Sequence, residues 1–122
     1  MNVERLTKLA ELLETATGRE VRIGDQIINF DIGFFVGEGT CGTAACAAGM
    51  AGLHPWFRKQ GFRTNRRTGS VQYKNHHSYG ACEAFFGVLA PFRPISYRNG
   101  NPNPTTVARR IRAAISAALA QP

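Results

Sequence analysis

The sequence predicts a helix-rich α+β fold: a single domain, residues 1–122, with a small antiparallel β element, a hairpin near residues 62–74. Three observations carry this. Apolar residues recur at helical spacing near both ends of the chain. Short runs rich in Val, Ile and Phe, bounded by Gly, Asp or Asn, read as strands. The length of 122 residues and a hydrophobic content of 43% suit one domain with a modest core.

The first element is an amphipathic helix over residues 3–16. Asn2 is its N-cap, Val3, Leu6, Leu9, Ala10 and Leu13 share a face, and Gly18 follows the end. Val21-Arg22-Ile23 and Gln26-Ile27-Ile28-Asn29-Phe30 read as short strands around Gly24-Asp25. A glycine-rich loop, Gly37-Glu38-Gly39-Thr40-Cys41-Gly42, then runs into a segment of small residues. The expectation there is a buried helix over residues 43–52, capped by Thr43. His54-Pro55-Trp56-Phe57 opens one or two helical turns, which Gly61 stops.

Phe62-Arg63-Thr64 and Ser70-Val71-Gln72-Tyr73 flank Asn65-Arg66-Arg67-Thr68-Gly69, the pattern of a hairpin with a basic tip. Ser78 caps a helix through Phe86, and Gly87 ends it. Residues 88–104, with Pro91, Pro94, Pro102, Pro104 and Gly100, read as loop. Asn103-Pro104 opens the last helix, whose apolar stripe is Val107, Ile111, Ala114, Ile115 and Ala118.

Charge is unevenly spread. Residues 1–40 hold four basic and seven acidic side chains, whereas residues 41–122 hold eleven basic side chains and the single acid Glu83. Residues 41–122 therefore carry +10 against −3 for residues 1–40, net +7, and this basic excess points to an anionic partner, nucleic acid or an acidic protein surface. The N-terminus has spread charges and no apolar core of a signal peptide, and no apolar run is long enough to span a bilayer. Three cysteines at low density fit reduced thiols in a cytoplasmic protein with no membrane partner.

Several segments stand in a telling order. They are Asn29-Phe30-Asp31-Ile32-Gly33, Cys41-Gly42-Thr43-Ala44-Ala45-Cys46-Ala47-Ala48-Gly49, Pro55-Trp56-Phe57-Arg58-Lys59-Gln60-Gly61-Phe62, Ala84-Phe85-Phe86-Gly87 and Thr106-Val107-Ala108-Arg109-Arg110-Ile111. This order resembles a widespread, uncharacterised family of small bacterial and phage proteins. Its members carry a Phe-Asp-Met element followed by a Cys-Gly-Thr-x-x-Cys-x-x-Gly helix. The resemblance covers residues 29–115 and implies no particular activity. The segment Val88-Leu89-Ala90-Pro91-Phe92-Arg93-Pro94 departs from it, since similar proteins usually have a polar helix after the Phe-Phe-Gly segment.

The cysteine motif admits several chemistries. Cys41, Cys46 and Cys82 with His54 supply enough N and S ligands for zinc, but Cys-x4-Cys without a second pair is a weak metal spacing. A thiolate at a helix N-terminus with a histidine base would make a nucleophile. The structural alternative makes Cys46 and Cys82 small buried hydrophobes on two packed helices. The loop itself, through Gly39, Thr40, Gly42 and Thr43, could cradle an anion with backbone N–H groups. It matches neither the phosphate-loop nor the dinucleotide fingerprint.

The better candidates for partner contact are the basic residues. Arg58, Lys59, Arg63, Arg66, Arg67 and Lys74 cluster around the hairpin, and Arg109, Arg110 and Arg112 lie on the last helix. Arginines suit phosphates, exposed Tyr73, His76, His77 or Tyr79 could stack on bases, and a hairpin can enter a major groove. Alternatively, Phe62, Val71 and Tyr73 pack inward while the arginines stay solvated. The expectation is a non-enzymatic basic binding protein of phage or mobile-element type, without a cofactor, contacting nucleic acid or a nucleic-acid-containing complex. The alternatives are an inhibitor or adaptor on an acidic surface of a host defence system, and a small thiol- or metal-dependent site at Cys41 and Cys46.

Overall fold

A computed structural model of the chain describes residues 1–32, 37–39, 42–93, 96–97 and 102–120. Helix α1 (Val3–Glu14) starts as the sequence predicts: Asn2 Oδ1 accepts from Arg5 N at 3.0 Å. Of the predicted stripe it buries Leu6, Leu9, Ala10 and Leu13, with Val3 half-buried. Strands β1 (Glu20–Ile23) and β2 (Gln26–Phe30) pair antiparallel around Gly24, which sits at φ 60°. That conformation suits glycine because no Cβ clashes there.

The glycine-rich loop differs from expectation. It leads into a strand, β4 (Gly42–Ala45), and not into a helix from Thr43. β4 pairs antiparallel with β3 (Gly37–Gly39) and parallel with β2, giving a mixed sheet in the order β1-β2-β4-β3. The reason is backbone supply. β2 has a second hydrogen-bonding edge, β4 fills it, and Asp31 N adds a bond to Ala45 O at 2.9 Å. Helix α2 (Ala47–Leu53) begins only afterwards, with Cys46 at the N-cap position and no side-chain cap.

His54 ends α2 and caps α3 (Pro55–Arg58), its Nδ1 accepting from Trp56 N at 3.2 Å. Strands β5 (Arg63–Asn65), β6 (Ser70–Tyr73) and β7 (His76–His77) form an antiparallel sheet in that order. The hairpin was legible and the two-residue β7 was not. Helix α4 (Ser78–Phe86) has His77, not Ser78, as its N-cap, and Gly87 closes it at φ 77°. A short 3-10 turn, Ala90–Phe92, interrupts the predicted loop before α5 (Pro104–Leu119), which buries Val107, Ile111 and Ile115.

Packing sorts these elements into a helical layer and two sheets. α5 lies on α1, while α2 and α4 cover one face of the β5-β6-β7 sheet. At their junction Phe57, Phe62, Phe85, Phe86 and Phe92 are buried against one another, with Phe62 and Phe85 centroids 4.7 Å apart. Arg5 seals this cluster: its guanidinium stacks 3.9 Å from the Phe85 centroid and donates to Phe85 O at 2.9 Å. The architecture is the helix-rich α+β fold the sequence predicts, with one more sheet than the hairpin alone.

Candidate nucleic-acid interface

The position of β5 is set by small residues on α2. Gly52 brings the helix so close that an added Cβ would lie 2.5 Å from Thr64 N and 2.9 Å from the Arg63 carbonyl carbon. Thr64, buried and polar, donates its hydroxyl to Gly49 O at 2.8 Å. This bond satisfies both groups away from water. Strand alternation then does the rest. With Thr64 and Val71 turned toward the helices, Arg63, Asn65 and Gln72 face outward and are exposed.

From this outer side across the β5 edge to the end of α2 runs an open concavity of about 520 Å³. Arg58, Arg63, Arg66 and Arg67 line it together with Leu53, Thr64, Asn65 and Gln72, and among the described residues no carboxylate does. Arg58 reaches it from α3 and is steadied by donating to Gly52 O at 3.2 Å. Arg66 and Arg67 come from the tip, where Asn65 Oδ1 accepts from Arg67 N at 2.9 Å and from Thr68 N at 3.3 Å. This asparagine turn shapes the tip by mimicking a backbone acceptor. Arg66 also donates to Gln26 Oε1 at 2.6 Å, tying the tip to the β1–β2 turn. Among the described residues no side chain pairs with the guanidinium of Arg63 or Arg67. Four cationic forks around one hollow, with no carboxylate among its described lining residues, make a site that attracts phosphate or carboxylate oxygens.

The other basic candidates are elsewhere. Lys59 is exposed at the C-cap of α3, outside the hollow. Lys74 lies at the opposite end of β6 from the tip, in the β6–β7 turn at φ 53°, its Nζ 5.2 Å from the Tyr73 centroid. On α5, Arg112 is engaged by Glu14, with Nη2–Oε1 at 2.8 Å and Nε–Oε2 at 3.0 Å. Arg110 lies over the Tyr97 ring at 5.1 Å, and Arg109 is exposed. The structure thus gathers Arg58, Arg63, Arg66 and Arg67, and separates them from the last helix. Arg19, which sequence reasoning did not single out, is a structural clamp donating to Phe30 O, Asn103 Oδ1 and Pro102 O. Its neighbours are distant in sequence, so no local pattern announces that role.

Of the aromatic residues beside the hairpin, Phe62 and Tyr73 follow the inward-packing alternative. Phe62 is fully buried, and Tyr73 packs edge-on against Phe85 at 4.9 Å. His76 and His77 are exposed on β7.

Cys46 and Cys82 are buried free thiols. Burial pushes the Cys46 thiol up to about 11, outweighing the N–H groups of Gly49 and Ala48 that favour its thiolate. Burial also raises Cys82, and the neighbouring Cys46 adds to this. Neither is a thiolate nucleophile near neutral pH. His54 lies at the other end of α2 from Cys46, its pKa lowered by burial and then by Lys8. Among the described residues no three His, Cys, Asp or Glu side chains gather as a metal site. Of the glycine-rich loop, Gly39 and Gly42 pair across β3 and β4, so the helix N-terminus expected beside an anion is not there. Thr40, Cys41 and the Thr43 side chain lie outside the described residues.

No protein-family model matches the chain, and no curated protein or solved structure matches it. Among the described residues no helix is long and apolar enough to cross a membrane.

Proposed function

We propose that this is a non-enzymatic binding protein whose arginine-lined hollow contacts nucleic acid or a nucleic-acid-containing complex. One observation carries the reading. Arg58 from α3, Arg63 from β5 and Arg66 and Arg67 from the hairpin tip converge on one open surface, with no carboxylate among its described lining residues. Convergent guanidinia repel one another, and a polyanion relieves that repulsion while releasing its condensed counterions. The motif resemblance supports a phage or mobile-element setting. An inhibitor or adaptor on an acidic protein surface is the rival use of the same charge.

The test is binding of labelled duplex DNA and RNA across a salt series. Four phosphate contacts would make log K fall with log salt at a slope of roughly 3–4. The double variant R63A/R67A lowers that slope by about 2. R112A, altering an arginine engaged with Glu14, leaves it unchanged. Absence of any binding at low salt overturns the proposal, and recovery of a stoichiometric acidic protein from the native host would favour the rival.

A further inference from the structure

Resting on that reading, we infer that the arginine face recognises the phosphate backbone of a nucleic-acid duplex, and neither the bases of a single strand nor a base sequence. Single-strand binding needs aromatic platforms on which successive bases stack. This face has none. Phe62 is buried under the sheet, Tyr73 is held against Phe85, and Trp56 sits edge-on to Phe57 with centroids 5.0 Å apart. Among the described residues no aromatic side chain lines the hollow. His77 is opposite Gln72 in the sheet and so shares its outward side. One imidazole on an edge strand gives no run of platforms.

A two-stranded ribbon reads a major groove through the side chains it turns to the bases. Here α2 and α4 cover the inner face, so only the outer face and the tip can meet a partner. Such a body rests on the groove's rims, where the phosphates are. Of the two amides that line the hollow, Asn65 holds the tip, its Oδ1 accepting from Arg67 N and Thr68 N, which leaves Gln72 alone to meet a base edge. The rest of the outward set is guanidinium, the group that binds phosphate bidentately.

The experiment measures fluorescence anisotropy at low salt for a labelled duplex DNA of about two helical turns. Its two separated strands, an unrelated duplex sequence and a duplex RNA are the other probes. The expected result is tighter binding of duplex than of either single strand by about tenfold or more, following its higher charge density. The two DNA sequences should differ by less than about threefold, because contacts to phosphate carry no sequence information. H77A should bind the duplex as the parent does. The proposal is overturned if a single strand binds as tightly as its duplex, if one sequence is strongly preferred, or if H77A removes most of the affinity. In those cases nucleic-acid binding itself stands. Absence of binding to every probe removes both.

Discussion

Replacing Gly52 by alanine tests whether close approach of α2 holds the arginine face together. The new methyl would sit 2.5 Å from Thr64 N and 2.9 Å from the Arg63 carbonyl carbon, where ordinary contact begins at 3.4 Å. The Thr64 hydroxyl oxygen lies nearer still, and behind it the two backbone atoms cannot swing aside. β5 has to retreat from α2 by roughly 1 Å, in an interior packed too tightly to absorb it. Over-packing of this kind costs about 1–3 kcal/mol. The retreat also stretches the buried bond from Thr64 Oγ1 to Gly49 O, now 2.8 Å, and a lost buried bond costs about 1–3 kcal/mol. Against this, alanine returns up to about 1 kcal/mol of helix propensity. The net expectation is a destabilisation of about 2 kcal/mol or more, near 8 °C in Tm for a chain of this size. Urea denaturation and calorimetry measure it. Gly80 is the control: it lies in α4, exposed, and an added Cβ there meets nothing within 4 Å. G80A should be neutral or slightly stabilising. If G52A is as stable as G80A, the close-approach account is refuted.

The remaining expectations concern protons, thiols and the α1–α5 pair. His54 caps α3 through an unprotonated Nδ1, and burial together with Lys8 lowers its pKa from the usual 6.5. The unfolded chain therefore binds this proton first, so His54's contribution is full above pH 6.5 and is lost as pH falls through the lower folded value. Denaturation midpoints taken from pH 8 down to pH 5 should show that loss, and H54N, which caps without titrating, should flatten it. In a C41S background, a thiol reagent at neutral pH should modify Cys46 and Cys82 only at the rate of unfolding, since both are buried and held protonated. Rapid native-state labelling of either would contradict their burial. E14Q should cost less than about 1 kcal/mol, because both partners of the Arg112 pair are 43% exposed to screening solvent.

The sequence was informative where side chains carry the signal. The apolar stripe of α1, its Asn2 cap, the β1–β2 turn at Gly24 and the basic hairpin all follow from local pattern. It was misleading at Gly42–Ala45, where Gly, Thr and Ala suit several backbones and the open edge of β2 decides for a strand. Tertiary supply of hydrogen-bond partners overrode a weak propensity there. Within the candidate site, Arg66 and Arg67 were visible as a charged tip. That Arg58 joins Arg63 across the α2–β5 contact was not, because Gly52 and Thr64 create that meeting. The division of the arginines was equally hidden. Arg112 depends on Glu14, a residue in the opposite terminal helix.

The hydrogen bond from Thr64 to Gly49 has a consequence for strand register. β5 is three residues long, and nothing in Arg63-Thr64-Asn65 is apolar enough to choose a side. A shift by one position would exchange the faces of the strand. Thr64 would turn outward, and Arg63 or Asn65 would be driven under α2. The hydroxyl at position 64 finds a partner at only one setting, so it acts as an index pin for the strand. The basic face can then gain or lose charge at positions 63, 66 and 67 while the strand stays in phase. A chain that keeps Gly49, Gly52 and Thr64 is free to change what it binds.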